Sequence, residues 1–131
     1  KTKITNTDER PVDETSALLQ KAKDFMKAGK DDEATQILRR ILASDPINAE
    51  VYLLRGKIYL NQANLDEASN QLKTALFYDN GLIEAHIFLA KIFLEKKDCL
   101  QAKSYVASAL AIDENNQDAL GMQRQVERCS K

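Results

Sequence analysis

The chain has 131 residues, a length typical of one domain, and its 44% apolar and 30% charged residues are ordinary for a soluble helical protein. With 19 basic and 20 acidic side chains, it offers no bulk electrostatic attraction to nucleic acid, so we expect no nucleic-acid partner. No apolar run approaches the ~18 residues that a membrane span needs. The scarcity of glycine (4) and proline (2) favours helices joined by short turns.

Residues 1–14 are rich in charge and threonine and have almost no apolar side chains. This composition predicts a disordered leader or linker. Because the chain begins at Lys1 rather than at a methionine, we also expect that a preceding segment, with any targeting signal, has been removed.

Helical periodicity begins at about residue 15. Leu18, Ala22 and Phe25 recur at helical spacing, and Gly29 is typical of a left-handed helix cap. A second helix follows and should end just before Pro46, since proline disfavours helical geometry in the residue before it.

Later helices are preceded by side chains that cap helix starts, namely Asn48, Asn64 and Asp98. Glu67 follows Asn64 at the spacing of a capping box. The last helix, from Asn116, becomes increasingly polar, which is typical of a helix that covers the end of an array.

The same pair of helices occurs three times at a constant interval. Small, aromatic, leucine and aspartate positions recur in register every 34 residues: Ala34, Ala68 and Ala102; Phe25, Tyr59 and Phe93; Leu42, Leu76 and Leu110; Asp45, Asp79 and Asp113. A period of roughly 20–50 residues predicts a stacked array. We place the repeats at about 15–48, 49–82 and 83–116 within a domain over 15–131, with a capping helix at about 117–129.

The small residues mark where we expect paired helices to cross closely. Ala68 and its counterparts would lie at the crossing, and Gly56 would face them. Ala22 and Ala90 stand at the positions that correspond to Gly56. A larger side chain there would force the helices apart.

The repeated unit resembles the tetratricopeptide repeat. In the second repeat the pattern is carried by Tyr52, Gly56, Tyr59, Ala68 and Asp79. The resemblance covers about residues 15–116. It departs from the family pattern in having the closing proline only as Pro46 and the turn glycine only as Gly29. It implies an all-α fold, a right-handed superhelical solenoid of three helix-turn-helix repeats, in which the first helix of each pair lines a concave groove.

No catalytic constellation is present in the sequence. The one histidine, His86, occupies the bulky interior position matched by Leu18 and Tyr52, so we interpret it as a packed ring. Two distant cysteines and one histidine offer no metal-ligand spacing, and no glycine-rich phosphate loop appears. We therefore expect a non-enzyme without metal or cofactor.

The two cysteines, Cys99 and Cys129, are interpreted as free thiols. Cys99 belongs to the third repeat, whereas Cys129 stands near a chain end, where ends usually fray. Free thiols are typical of a reducing compartment, so we expect a cytoplasmic protein.

The resemblance implies that a partner docks on the first helices. The side chains expected to line this groove are Leu19, Lys23, Met26, Leu53, Leu54, Lys57, Leu60, Ile87, Phe88, Lys91 and Leu94. The same helix faces also carry Lys27, Glu50, Asn61, Glu84 and Glu95. Lys23, Lys57 and Lys91 recur every 34 residues and would form a lysine ladder beside an apolar strip. This arrangement suits a hydrophobic peptide or helix that also carries acidic residues.

A specialised groove of this family, the carboxylate clamp, holds the acidic C-terminal tails of heat-shock chaperones with lysine, asparagine and arginine side chains. The positions of this chain that match it are Leu19, Lys23, Leu54, Glu84 and Phe88. Only one is basic and none is asparagine, so chaperone-tail binding by that mechanism is disfavoured. The sequence predicts a non-catalytic protein-protein interaction module or scaffold. The alternatives are homo-oligomerisation, a structural spacer domain, or the regulatory tail of a larger enzyme.

Overall fold

The computed structural model describes the backbone of residues 2–129 and the side chains of residues 14–129. In this range the chain is all α-helical, with no strand. Its helices are α1 (Thr2–Lys27), α2 (Asp31–Ser44), α3 (Ala49–Asn61), α4 (Leu65–Tyr78), α5 (Ile83–Glu95), α6 (Cys99–Ile112) and α7 (Gln117–Cys129). They pack as the antiparallel pairs α1–α2, α3–α4 and α5–α6, with α7 against the last pair. The fold is the predicted all-α repeat solenoid.

The turns inside the three pairs share one geometry. In the second pair, the Asn64 amide donates to the Tyr59 carbonyl at 2.9 Å and the Ala63 amide donates to the Leu60 carbonyl at 3.0 Å. This double closure is a Schellman motif, which needs a left-handed residue at its centre. Ala63 (φ 61°) and Lys97 (φ 65°) adopt that conformation, as Gly29 (φ 77°) does. The turn thus forms even where the glycine of the pattern is missing.

Asparagine and aspartate side chains cap the starts of α3, α4 and α6, as predicted. Asn48 accepts from the Val51 amide, and Asp98 accepts from the Gln101 amide, each at 3.2 Å. Asn64 caps α4 in the same way. Each cap satisfies one of the backbone amides that have no partner inside the helix.

The small residues lie where the helices of a pair cross. Ala34, Ala68 and Ala102 are fully buried. A Cβ placed on Gly56 would stand 2.7 Å from Leu72 Cγ and 3.4 Å from the Ala68 carbonyl oxygen. The predicted close approach of α3 and α4 is therefore confirmed.

The core consists of two clusters of buried side chains, which α3 joins. Val51, Leu54 and Ile58 of α3 belong to the cluster under α1 and α2, whereas Leu53 belongs to the cluster that continues to α7. Each pair therefore buries its apolar face against its neighbours, as expected of a stacked array.

Helix α1 begins at Thr2 and so includes residues 2–14, whereas composition predicts a disordered leader or linker over residues 1–14. A helix nucleated by the packed part of α1 gains one backbone hydrogen bond for each residue it adds, so polar sequence can extend it.

One correction concerns the cysteines. Cys99 and Cys129 form a disulfide with their Cα atoms 5.8 Å apart, so the prediction of free thiols is wrong. Cys99 begins α6 and Cys129 ends α7. Because α7 folds back along α6, residues that are 30 positions apart in sequence become neighbours. The expectation of a cytoplasmic location rested on free thiols and loses that basis, since disulfides persist mainly in oxidising compartments.

Candidate functional site

The first helices of the three pairs share one face, which we call the groove. A cleft of about 370 Å³, the central cleft, opens in it. Its walls come from α1, α3 and α5: Lys23, Met26, Lys27, Glu50, Leu53, Leu54, Lys57, Asn61 and Glu84. The structure thus brings five of the predicted groove residues into one cleft.

Two lysines of the predicted ladder are already paired with glutamates of the next first helix. Lys23 Nζ of α1 lies 2.8 Å from Glu50 Oε2 of α3. Lys57 Nζ of α3 lies 3.4 Å from Glu84 Oε2 of α5. The groove is therefore lined by alternating charges rather than by cations alone. These pairs are partly exposed, so each contributes at most ~1 kcal/mol to the packing of neighbouring repeats.

The third lysine is different. Asp118 of α7 stands where the next acid of this series would be, but Lys91 makes no ion pair with any of residues 14–129. Its Nζ lies 5.4 Å from the centre of the Phe88 ring, and Lys57 Nζ lies 5.7 Å from the same ring. Lys91 is exposed. It therefore keeps its capacity to bind a carboxylate.

The predicted apolar strip divides into two parts. Leu53, Leu54 and Ile87 are 4%, 3% and 6% exposed, so they serve mainly as core residues. The partly exposed members are Leu19, Met26, Leu60, Phe88 and Leu94. Leu19 lines a separate cleft near the start of the first repeat, and Leu60, Phe88 and Leu94 are not in the wall of the central cleft. The apolar surface open to a partner is thus narrower than the sequence suggests.

The central cleft also contains four polar or charged side chains that the sequence places on the faces of the first helices. Lys27, Glu50, Asn61 and Glu84 complete its wall. The two glutamates recur at the repeat interval just as the lysines do, and this periodicity predicts that they share the face of the first helices. Lys27 lies one helical turn after Lys23, so helical spacing predicts that it lies on the same face of α1.

The interior position predicted for His86 is confirmed. The ring is buried beside Tyr105, and its Nε2 donates to the Asn80 carbonyl at 2.9 Å. Within residues 14–129 no three His, Cys, Asp or Glu side chains gather as metal ligands would. No helix in the described range is long and apolar enough to cross a bilayer.

Paired antiparallel helices, Schellman turns and buried crossing alanines define a helical repeat protein. The sequence profile of the tetratricopeptide repeat family matches residues 25–92, which is more than half of the chain. This chain belongs to the tetratricopeptide repeat family. No curated protein sequence matches it.

Solved structures show the same fold. The first TPR of Spaghetti (RPAP3) bound to the HSP90 peptide SRMEEVD superposes with a TM-score of 0.82 at 20% identity, covering 88% of this chain and 94% of that one. The Arabidopsis OM64 TPR domain gives 0.81 at 14% identity, with 90% and 98% covered. An O-GlcNAc transferase mutant of Thermobaculum terrenum gives 0.80 at 20% identity, with 89% of this chain and 22% of that chain covered. At these identities the similarity establishes the fold alone.

Proposed function

We propose that this chain is a non-catalytic protein-interaction module that binds an extended or helical segment of another protein in its groove. The observation that carries the proposal is the central cleft, whose walls come from three successive first helices. A segment lying across these helices would contact several repeats at once. The relatives support the proposal, since the first TPR of Spaghetti is bound to an HSP90 peptide and the second TPR of RPAP3 to an HSP70 peptide.

The chemistry of the cleft indicates a ligand with apolar anchors and acidic residues. Met26 offers a partly exposed apolar contact at the floor, and Lys27 at the wall makes no ion pair with residues 14–129. With Lys91 further along the groove, two cations are open to acids of the ligand. Apolar anchors should dominate affinity, while the charges set orientation and association rate.

The acidic tails bound by those relatives are a poor fit to this groove. Among the positions that match the carboxylate clamp, Leu54 is buried and Glu84 presents an acid. A tail carboxylate placed there would meet a glutamate, and like charges in close contact are unfavourable. We therefore propose a ligand that uses Lys27 and Lys91 instead.

The proposal is tested with a displayed peptide library selected on the parent chain. Affinities of the selected peptides are then measured by calorimetry for Lys27→Gln and Met26→Glu. The matched controls are Lys21→Gln, an exposed lysine of the same helix outside the cleft, and Leu100→Glu on the outer face. We expect peptides enriched in apolar and acidic residues, a loss of about ten-fold or more with Met26→Glu, and little change with either control.

Thermal melts would establish that all variants are folded. Lys27→Gln changes only an exposed side chain, so it tests the cleft without disturbing the core. Equal affinity of the cleft and control variants would exclude the cleft as the binding site. Selection of purely basic peptides would contradict the proposed ligand chemistry.

Exposed apolar side chains on the second helices favour self-association as a second candidate. Phe77 of α4 is 82% exposed and Leu100 of α6 is 81% exposed. Contiguous rather than isolated apolar side chains mark contact surfaces, and the Phe77 ring lies 5.2 Å from the ring of Tyr78, which is also exposed. Light scattering over a range of concentrations would distinguish the two functions, since a monomer whose mass does not change with concentration speaks against self-assembly.

A further inference from the structure

A second pocket, which we call the arginine pocket, lies between α2 and α3 and shares no residue with the central cleft. Its volume is about 160 Å³. The walls consist of Thr35, Arg39, Arg55, Ile58, Tyr59 and Gln62. Five of these six side chains carry hydrogen-bond donors, and two of them are permanently charged.

The corresponding contact in the next repeat is more apolar. The residue 34 positions before Arg55 is the exposed Lys21, whereas the residue 34 positions after it is Leu89, which is fully buried. Lys73 corresponds to Arg39, and its Nζ lies 5.4 Å from the Phe93 ring, the counterpart of Tyr59. The contact of α2 with α3 thus has two guanidinium groups, whereas the contact of α4 with α5 has one ammonium group over an aromatic ring.

The charges of the arginine pocket have no partner in the described part of the chain. The ion pairs found among residues 14–129 all use lysines, so neither Arg39 nor Arg55 is paired with a carboxylate. Thr35, Tyr59 and Gln62 likewise make no side-chain hydrogen bond there, since the side-chain bonds of this region belong to other residues. Arg55 is half-buried, whereas Arg39 is exposed. A half-buried cation without a partner is unfavourable, and an anion would relieve that cost at Arg55.

We propose that the arginine pocket binds a phosphate-sized oxyanion, either free phosphate or a phosphoryl group on a small molecule or side chain. The guanidinium fork matches phosphate oxygens, and two forks from different helices would hold different oxygens of a tetrahedral anion. The pocket volume of about 160 Å³ has room for a single phosphate group. The hydroxyls of Thr35 and Tyr59 and the amide of Gln62 supply neutral donors around it.

The test is an amide-resolved NMR titration with inorganic phosphate and, in a second arm, with O-phosphoserine. Acetate and chloride at matched ionic strength are the reference anions. The variants are Arg39→Gln and Arg55→Leu, and the second of these places in α3 the residue that α5 has at the same register. Arg40→Gln is the matched control, because Arg40 is an exposed arginine of α2 that does not line the pocket.

We expect saturable phosphate binding, with shifts at the amides of Thr35, Tyr59 and Gln62. The affinity should fall about ten-fold or more in Arg39→Gln and Arg55→Leu and stay unchanged in Arg40→Gln, since charge-assisted bonds are lost only in the first two. Tighter binding of phosphoserine than of phosphate would identify a phosphorylated side chain as the source, and equal binding would identify the free anion. The proposal is overturned by equal responses to acetate and phosphate, by equal affinities of Arg39→Gln and Arg40→Gln, or by no saturation below about 10 mM.

Discussion

Removal of the disulfide between α6 and α7 should weaken the C-terminal end of the array by a measurable amount. The bond closes a loop of 30 residues. In the chain-entropy description, a loop of this size contributes about 3.6 kcal/mol at 25 °C by restricting the unfolded state. At roughly 2.1 cal/mol/K per residue, replacing both Cys99 and Cys129 by serine should lower the Tm by about 13 °C, if the array unfolds as one unit.

The assay is a pair of thermal melts, with and without a phosphine reductant, on the parent and on the double serine variant. The parent should lose stability on reduction, whereas the variant should not respond. The variant is thus its own control for effects of the reagent. Because each repeat contacts only its neighbours, hydrogen exchange should accelerate first in α7 and least in α1 and α2.

Three results would refute this reasoning. A parent Tm that is indifferent to reduction would mean that the bond does not stabilise the array. Two free thiols per chain in the unreduced, denatured protein would mean that the bond does not form. Faster exchange in α2 rather than α7 would contradict the local character of the effect.

Four further substitutions test the packing, turns and charges of the array. Ala68→Arg should destabilise the protein by about 4 kcal/mol or more, because it overpacks a fully buried helix crossing and buries an unpaired charge. A thermal melt that matches the parent would show that Ala68 does not lie at the crossing of α3 and α4. Ala63→Gly should stabilise the protein by about 0.5–1 kcal/mol in a denaturant titration, since the Ala63 backbone is in the left-handed conformation that glycine adopts without strain. As a control, Ala107→Gly inside α6 should destabilise the protein by a similar amount. The hydrogen bond and charge of Lys96 hold the pKa of Asp66 below its ordinary value of 3.8, so Lys96→Gln should raise this pKa toward 3.8 in a carboxyl NMR titration. The small stabilisation that this exposed pair gives the folded state is present above the unfolded-state pKa of Asp66. It is lost as the pH falls through the folded-state pKa. An unchanged pKa would show that the pair does not form in solution.

The candidate site was predictable in position but not in the pairing of its charges. Periodicity along the helix faces predicted that Lys23, Met26 and Lys57 share a surface, and the structure places them in one cleft. The same periodicity also repeats Glu50 and Glu84, but which lysine meets which glutamate depends on how far each first helix is shifted against the next. That shift is set by packing and leaves no trace in the register of a single repeat.

The sequence by itself determined the architecture of this protein. Four sets of positions that recur at one interval specify which helix faces are buried. The asparagine and aspartate caps specify where α3, α4, α6 and α7 begin, because capping depends only on local spacing. Only the tertiary structure decided the disulfide, the pairing of the groove lysines and the burial of Leu53 and Leu54. Each of these depends on the distance between side chains of different helices, and the angle and offset at which helices stack fix that distance.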